Sequence, residues 1–464
     1  MNHAAITAIL LIAGIASSVY AGAGLRNERR AWDSSATFVF VAAWILSSAA
    51  ALAKLSGQLS SFRSVATGDV ITEITGKPGE LAHWTPLIIL LTSGSFVLLR
   101  FMRERADLAV NRAAVGVALA VLIGMGANAV QSGPLFKSTI LAQLGLYVAA
   151  SVGKIGRGAA LGTVAFIFSF AMVGSLVAVV HPDLAFTACP ERKCGLLNTL
   201  YSGPLYNENE FGLALTCAIP FVFVALRGAR RIWLSVYLAS LALVTGSRTS
   251  AMAAVLVLAL CLCAGLRWDG NHLHGRRRPV AFGLIITLVA GAALPLVSHD
   301  PSSYTNRGYL WSFARDRWLS SGGFPKMFGL GWGDWQRASD NGDVFYGAIY
   351  GPHNNWLHIL NVSGAAGLAL FAIAIISTAR GVSRTRFLYT APAIAALMFA
   401  GITEQTMSVG ALTWISWALP AILLSGAGVP ARADDASHLR EGRLLTPGRT
   451  ANQVRVPAMA GTTP

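Results

Sequence analysis

The sequence predicts an all-α polytopic membrane protein with about thirteen transmembrane helices and a large, partly helical loop on the periplasmic side. Two observations carry that fold class. Long apolar runs recur from residue 4 to residue 428, in a chain that is 54% apolar and 12% charged. Lys and Arg gather in every second connection between those runs, the pattern left when positive residues are retained on the cytoplasmic side. No large soluble domain fits between them. Residues 1–430 read as one transmembrane domain, and residues 431–464 as a disordered cytoplasmic tail with too little apolar surface to fold alone.

A hydrocarbon core of about 30 Å needs roughly 20 mostly apolar residues per helix, and backbone groups without water must close their hydrogen bonds internally. The runs lie at 4–22, 36–54, 85–101, 113–130, 138–153, 159–180, 211–226, 232–246, 250–266, 279–298, 356–378, 387–403 and 410–428. The first is expected to be a retained helix and not a cleaved signal peptide. No positive charge precedes it, and Arg26, Glu28, Arg29 and Arg30 follow it. The basic connections hold Arg26, Arg29 and Arg30; Arg100, Arg103, Arg105 and Arg112; Lys154 and Arg157; Arg227, Arg230 and Arg231; Arg267, Arg276, Arg277 and Arg278; and Arg380, Arg384 and Arg386. The amino terminus is therefore expected outside and the tail inside. The net charge of +15 belongs to these short clusters, with no basic stripe suited to a phosphate backbone, so nucleic acid is not an expected partner.

Four segments stand out on the opposite face: 55–84, 181–210, the turn around Arg248, and the longest, 299–355. Candidate chemistry concentrates there. Cys217, Cys261 and Cys263 sit in apolar runs as packing residues, whereas Cys189 and Cys194 flank Pro190 to Lys193 and are placed for a small local disulfide. Zinc is not expected, since only His181 is nearby as a further ligand. The long loop holds Trp311, Trp318, Trp332 and Trp335 of the chain's 12 tryptophans. From Arg307 to Ser320, Leu310, Trp311, Ala314 and Trp318 share one helical face and Ser312, Arg315, Asp316 and Ser320 another, the pattern of an amphipathic helix at the outer interface.

Arg248, in Gly246-Ser247-Arg248, lies where the positive-inside bias disfavours arginine. It reads either as a side chain snorkelling to headgroups or as an anion site, since a guanidinium grips phosphate oxygens in pairs. Arg307 begins the amphipathic stretch and is placed to reach the same surface; two arginines suit a diphosphate. Arg315, Arg317 and Lys326 compete for that role. His353, where the long loop re-enters the membrane, is of the type that accepts a proton from a hydroxyl near neutral pH. Its neighbours Asn354 and Asn355 read equally as caps for the run starting at Trp356, and His358 as an interior residue. Asn207, Glu208, Asn209 and Glu210, ahead of Phe211, suit either capping or sugar hydroxyls.

Four pieces in order resemble the O-antigen ligase and Wzy-type polymerase superfamily of bacterial membrane glycosyltransferases. They are Gly203-Pro204-Leu205-Tyr206-Asn207-Glu208-Asn209-Glu210-Phe211-Gly212; Gly246-Ser247-Arg248; Asn306-Arg307-Gly308-Tyr309-Leu310-Trp311 with the later Phe328-Gly329-Leu330-Gly331-Trp332-Gly333; and His353-Asn354-Asn355-Trp356-Leu357 with Gly364 to Leu368. The likeness covers residues 200–370; the rest agrees by hydropathy alone. It implies a GT-C-like fold, no cofactor or metal, and transfer of a glycan from an undecaprenyl-diphosphate carrier to an acceptor hydroxyl at the outer face of the bacterial cytoplasmic membrane. Arg248 and Arg307 would hold the diphosphate and His353 would activate or orient the acceptor. Asn207, Asn209, Arg315, Trp311 and Asn354 would line the substrate. Such proteins are commonly read with one span fewer, which an extra first helix reconciles. A growing glycan as acceptor makes a polymerase and a lipid A core makes a ligase. A transporter or lipid flippase is the alternative of another class, and the sequence shows neither repeated halves nor broken helices to favour it.

Overall fold

A computed structural model describes residues 3–55, 77–103, 110–131, 133–189, 194–265, 268–269, 272–273, 276–298, 300–301, 303–343, 351–380 and 384–426. The expected tail, 431–464, and part of the segments 55–84 and 299–355 lie outside the described residues. The helices are α1 (His3–Asn27), α2 (Ser34–Leu55), α3 (Lys77–Arg103), α4 (Arg112–Val130), α5 (Ser138–Val152), α6 (Arg157–Val180), α7 (Pro182–Ala185), α8 (Glu208–Ala225), α9 (Ala229–Val244), α10 (Arg248–Gly265), α11 (Arg277–Val297), α12 (Ser303–Ser320), α13 (Gly323–Phe328), α14 (Asp334–Asp340), α15 (Asn355–Arg380), α16 (Arg384–Thr403) and α17 (Ala418–Gly426). Among the described residues, nine of them (α1–α4, α6, α8, α10, α11 and α15) are long and apolar enough to cross a membrane; α5 and the Thr390–Thr403 part of α16 are shorter apolar helices. The chain is an all-α polytopic membrane protein.

Burial orders the bundle. In α8, 83% of the apolar window is buried inside the protein, against 22% in α1, so α8 is central and α1 presents most of its surface outward. Around α8 pack α6, α9, α10 and α16. Hydrogen bonds between helix ends sort the termini into two groups. One joins the end of α1 to the start of α6 (Glu28 to Arg157), the end of α3 to that of α5 (Arg100 to Val152 O), and the start of α9 to the end of α10 (Arg231 to Gly265 O). The other joins the end of α2 to the turn before α8 (Lys54 to Ser202), and the start of α10 to the end of α16 (Thr249 to Thr403). Consecutive long helices therefore alternate in direction, as the spacing of the arginines predicts.

The last apolar run departs from expectation. Residues 410–428 read as a helix, but among the described residues of that run only Ala418–Gly426 is helical, and nine residues at 1.5 Å rise cover about 13 Å of a bilayer core that needs about 30 Å. Residues 404–417 are irregular. Side chains replace the missing helical hydrogen bonds: Gln143 donates to Ser408 O (2.6 Å) and accepts from Gly410 N (3.2 Å), Asn355 accepts from Met407 N (3.1 Å), and His358 Nε2 accepts from Val409 N (2.8 Å). Gly410 takes φ +102°, a conformation open chiefly to glycine. Irregular backbone at this depth is tolerated because protein covers it; Val409, Ile415 and Trp417 are buried.

The segment 181–210 closes as a short antiparallel pair, Phe186–Ala188 with Thr199–Tyr201, and a disulfide joins Cys189 to Cys194 with Cα atoms 4.9 Å apart. The long loop is fastened by main chain. Gly364, at φ +64°, breaks the helical geometry inside α15, and the carbonyls of Asn361 and Val362 accept from Leu330 N (2.7 Å) and Gly331 N (3.2 Å). A Cβ on Gly364 would strike the Met327 carbonyl, and one on Gly329 would strike that of Val362. Two stretches far apart in the sequence, around Gly329 and around Gly364, are thus one contact. The helix α12 corrects a second expectation: its tryptophan face turns toward the bundle, with Trp311 and Ala314 fully buried against Leu357 of α15.

Candidate functional site

A single carboxylate gathers the polar groups at the end of the bundle where α8 and α10 begin. Glu404 follows the last residue of α16, and its backbone N–H still donates to Ala400 O (3.1 Å), so its position is set by the helix. Its Oε1 accepts from Arg307 Nη2 and from Asn209 Nδ2 (3.3 Å), and its Oε2 lies 3.2 Å from His353 Nδ1. Those partners come from three elements: the first turns of α12, the first turn of α8, and the turn leading into α15. The Arg307, Glu404 and His353 side chains are 19%, 18% and 25% exposed, shielded enough to strengthen their attraction yet open to a ligand.

His353 sits at φ +48°, in the left-handed region that side chains with a Cβ seldom occupy. Such a backbone costs about 1 to 3 kcal/mol and persists only where surrounding contacts impose it. Arg248, the first residue of α10, is exposed. Its neighbours tie that helix end to the junction: the Thr249 hydroxyl lies 3.1 Å from that of Thr403, and Ser250 Oγ donates to Asn209 O (3.4 Å). Behind this lies Lys54, whose ammonium donates to Ser202 Oγ (2.6 Å), Gly203 O (3.2 Å) and Leu205 O (2.5 Å) and so fixes the turn entering α8. Glu210, in the same first turn, lies within electrostatic reach of Lys54 and Glu404.

Of the residues expected at the site, the structure brings Arg307, His353 and Asn209 together and ties the start of Arg248's helix to them. Others are engaged elsewhere. Asn354 is fully buried, caps α15 by accepting from Leu357 N (3.0 Å), and donates to Gly291 O (3.1 Å) and Ile402 O (3.0 Å). Its polar atoms are committed to the fold, which corrects its expected contact with substrate. Trp311, at 0% exposure, has no face for a sugar. Arg315 bonds Asp316 (3.1 Å) and Leu296 O (3.3 Å), about 12 Å of helical rise beyond Arg307, and so does not join the junction. Arg317 is held by both oxygens of Asp334 (2.6 and 2.9 Å), hydrogen bonds that raise its pKa above the ordinary arginine value. Asn207 caps α8 by accepting from Glu210 N (2.9 Å), as its position suggests. His358 is interior, its ring held by Val409 N and by Gln405 (3.1 Å).

Glu404 was not among the residues that the sequence singles out. As an acid at the end of an apolar run it looks like a span boundary, yet the predicted topology puts it on the face of Arg307 and His353. Among the described residues no cluster of His, Cys, Asp and Glu is arranged to hold a metal ion. Fold and site together define a polytopic helical membrane protein with a charged junction at one end of its bundle. No protein-family model, no curated protein and no solved structure matches the chain.

Proposed function

We propose that this protein is a membrane glycosyltransferase of the O-antigen ligase and polymerase type. It would have about thirteen crossings, a GT-C-like fold and its arginine-rich end in the bacterial cytoplasm. It moves a glycan from an undecaprenyl-diphosphate donor to an acceptor hydroxyl at the outer face of the cytoplasmic membrane, with a carrier-linked glycan as the leading acceptor and lipid A core as the alternative. The observation that supports this is the meeting of Arg307 and His353 on Glu404 beside the start of Arg248's helix.

The chemistry follows from those groups. The acceptor oxygen forms a bond to the anomeric carbon as the bond from that carbon to the diphosphate oxygen breaks, and the diphosphate leaves with the electron pair. Charge grows on the leaving group, so fixed guanidinium groups stabilise the transition state more than the bound donor. Each charge-assisted hydrogen bond contributes about 1.5 to 3 kcal/mol. Arg307 directs one nitrogen to Glu404, and a guanidinium with five N–H groups can serve a phosphate as well. His353 takes the proton of the acceptor hydroxyl or orients that hydroxyl. Reconstitution with defined undecaprenyl-diphosphate glycans and alternative acceptors, followed by product sizing, tests the reading. Elongated carrier-linked chains are expected, and no transfer to any acceptor would overturn it.

The irregular segment 404–417 and the break at Gly364 favour a second reading, transport, because interrupted helices line the sites of many carriers. Lipid flipping or uptake by purified protein that survives both Arg248→Ala and His353→Ala would favour it.

A further inference from the structure

We infer that Glu404 is the positioning residue of this site: it decides which nitrogen of His353 carries the ring proton and holds the ring in place. The inference rests on the proposed role of His353 toward the acceptor hydroxyl. An ionised carboxylate accepts hydrogen bonds and cannot donate them, so the 3.2 Å contact between His353 Nδ1 and Glu404 Oε2 requires the proton on Nδ1. In the neutral ring the lone pair then belongs to Nε2, the nitrogen able to take a proton from a hydroxyl.

The carboxylate is itself fixed. Arg307 and Asn209 both hold Oε1 while Oε2 faces His353, so turning the carboxylate plane away from this orientation would break hydrogen bonds on both of its oxygens. The helix end that carries Glu404 is secured through Ala400 O and through the Thr403–Thr249 hydroxyl pair. His353, on a left-handed turn, is correspondingly dependent on the contacts that hold it. One acid thus orients the histidine and, through its other oxygen, one of the two diphosphate-binding arginines.

The test uses the full chain in lipid vesicles with ¹⁵N-labelled histidine, the His353 signals being identified by their loss in His353→Gln. At alkaline pH the wild type is expected to show a protonated Nδ1 and a bare Nε2. In Glu404→Gln and Glu404→Ala the Nε2-protonated form should gain population while the His358 signals stay put. The same variants should lose about tenfold or more in kcat, and Glu404→Asp should recover part of the loss. A wild-type ring protonated on Nε2, a ring indifferent to both substitutions, or an unchanged kcat in both would overturn the assignment. A wild-type protein with the expected ring proton but no glycan transfer would instead overturn the proposed reaction and leave the histidine–glutamate pair standing.

Discussion

The two ends of the helical bundle use arginine differently. At one end, guanidinium groups chiefly meet main-chain carbonyls: Arg157 donates to Val224 O (2.9 Å) and Ala225 O (2.6 Å) as well as to the Glu28 carboxylate (2.7 Å), Arg100 to Val152 O (3.2 Å), and Arg231 to Gly265 O (3.3 Å). Those carbonyls close the last turns of α8, α5 and α10, where the helix leaves acceptors unsatisfied and its dipole favours a cation. At the other end Arg307 meets a carboxylate that also serves a histidine and an amide. A helix carbonyl is part of the fold and cannot be traded for a ligand. A carboxylate that also holds a histidine and an amide at a partly open junction can share its cation with an incoming anion, so the company Glu404 keeps, and not the arginine alone, separates candidate chemistry from architecture.

The sharpest way to break this comparison is His353→Ala, which should lower transfer by about 10²- to 10⁴-fold while circular dichroism and gel filtration in detergent stay those of the wild type. Near-normal transfer would remove the histidine from the mechanism. Next, Arg307→Ala or Arg248→Ala should cost about 10- to 100-fold in turnover or donor binding, the loss of one or two charge-assisted hydrogen bonds. Donor titrations against initial rate would read it. At the opposite end Arg157→Ala should invert the pattern, lowering stability by about 2 kcal/mol in thermal or denaturant unfolding and leaving turnover per folded molecule unchanged. Smallest of all, Asn207→Ala should cost about 1 kcal/mol as a lost helix cap. A large fall in acceptor affinity for that variant would return Asn207 to the substrate.

Much of this arrangement could be read from the chain. Apolar runs and alternating arginines report on lipid and on the membrane potential's sidedness, constraints local enough to survive in sequence, and they anticipate the helices and their alternating directions. What stayed hidden depended on partners distant in the chain. The tryptophan face of α12 is plain from its periodicity, but nothing local says whether lipid or α15 covers it. Residues 410–428 are apolar enough for a helix, and only the hydrogen bonds offered by Gln143, Asn355 and His358 make an irregular path as favourable. Asn354 satisfies the signature of a cap and of a ligand-binding amide alike, and the carbonyls of Gly291 and Ile402 decide between them. Glu404 is not legible as a site residue because a lone acid at a span end has an ordinary explanation until the arginine and histidine facing it are known.

The break at Gly364 has a consequence for how this surface can vary. Where a helix is interrupted, its freed carbonyls become sockets, and Leu330 and Gly331 plug into them with amide hydrogens that nearly every amino acid possesses. At this crossing, attachment of the loop therefore asks for glycine at two points of backbone contact, while the buried Trp311 and Ala314 of α12 fasten it elsewhere. Loop residues outside these contacts are freer to vary, so the surface beside the junction can change while the loop stays fastened to α15.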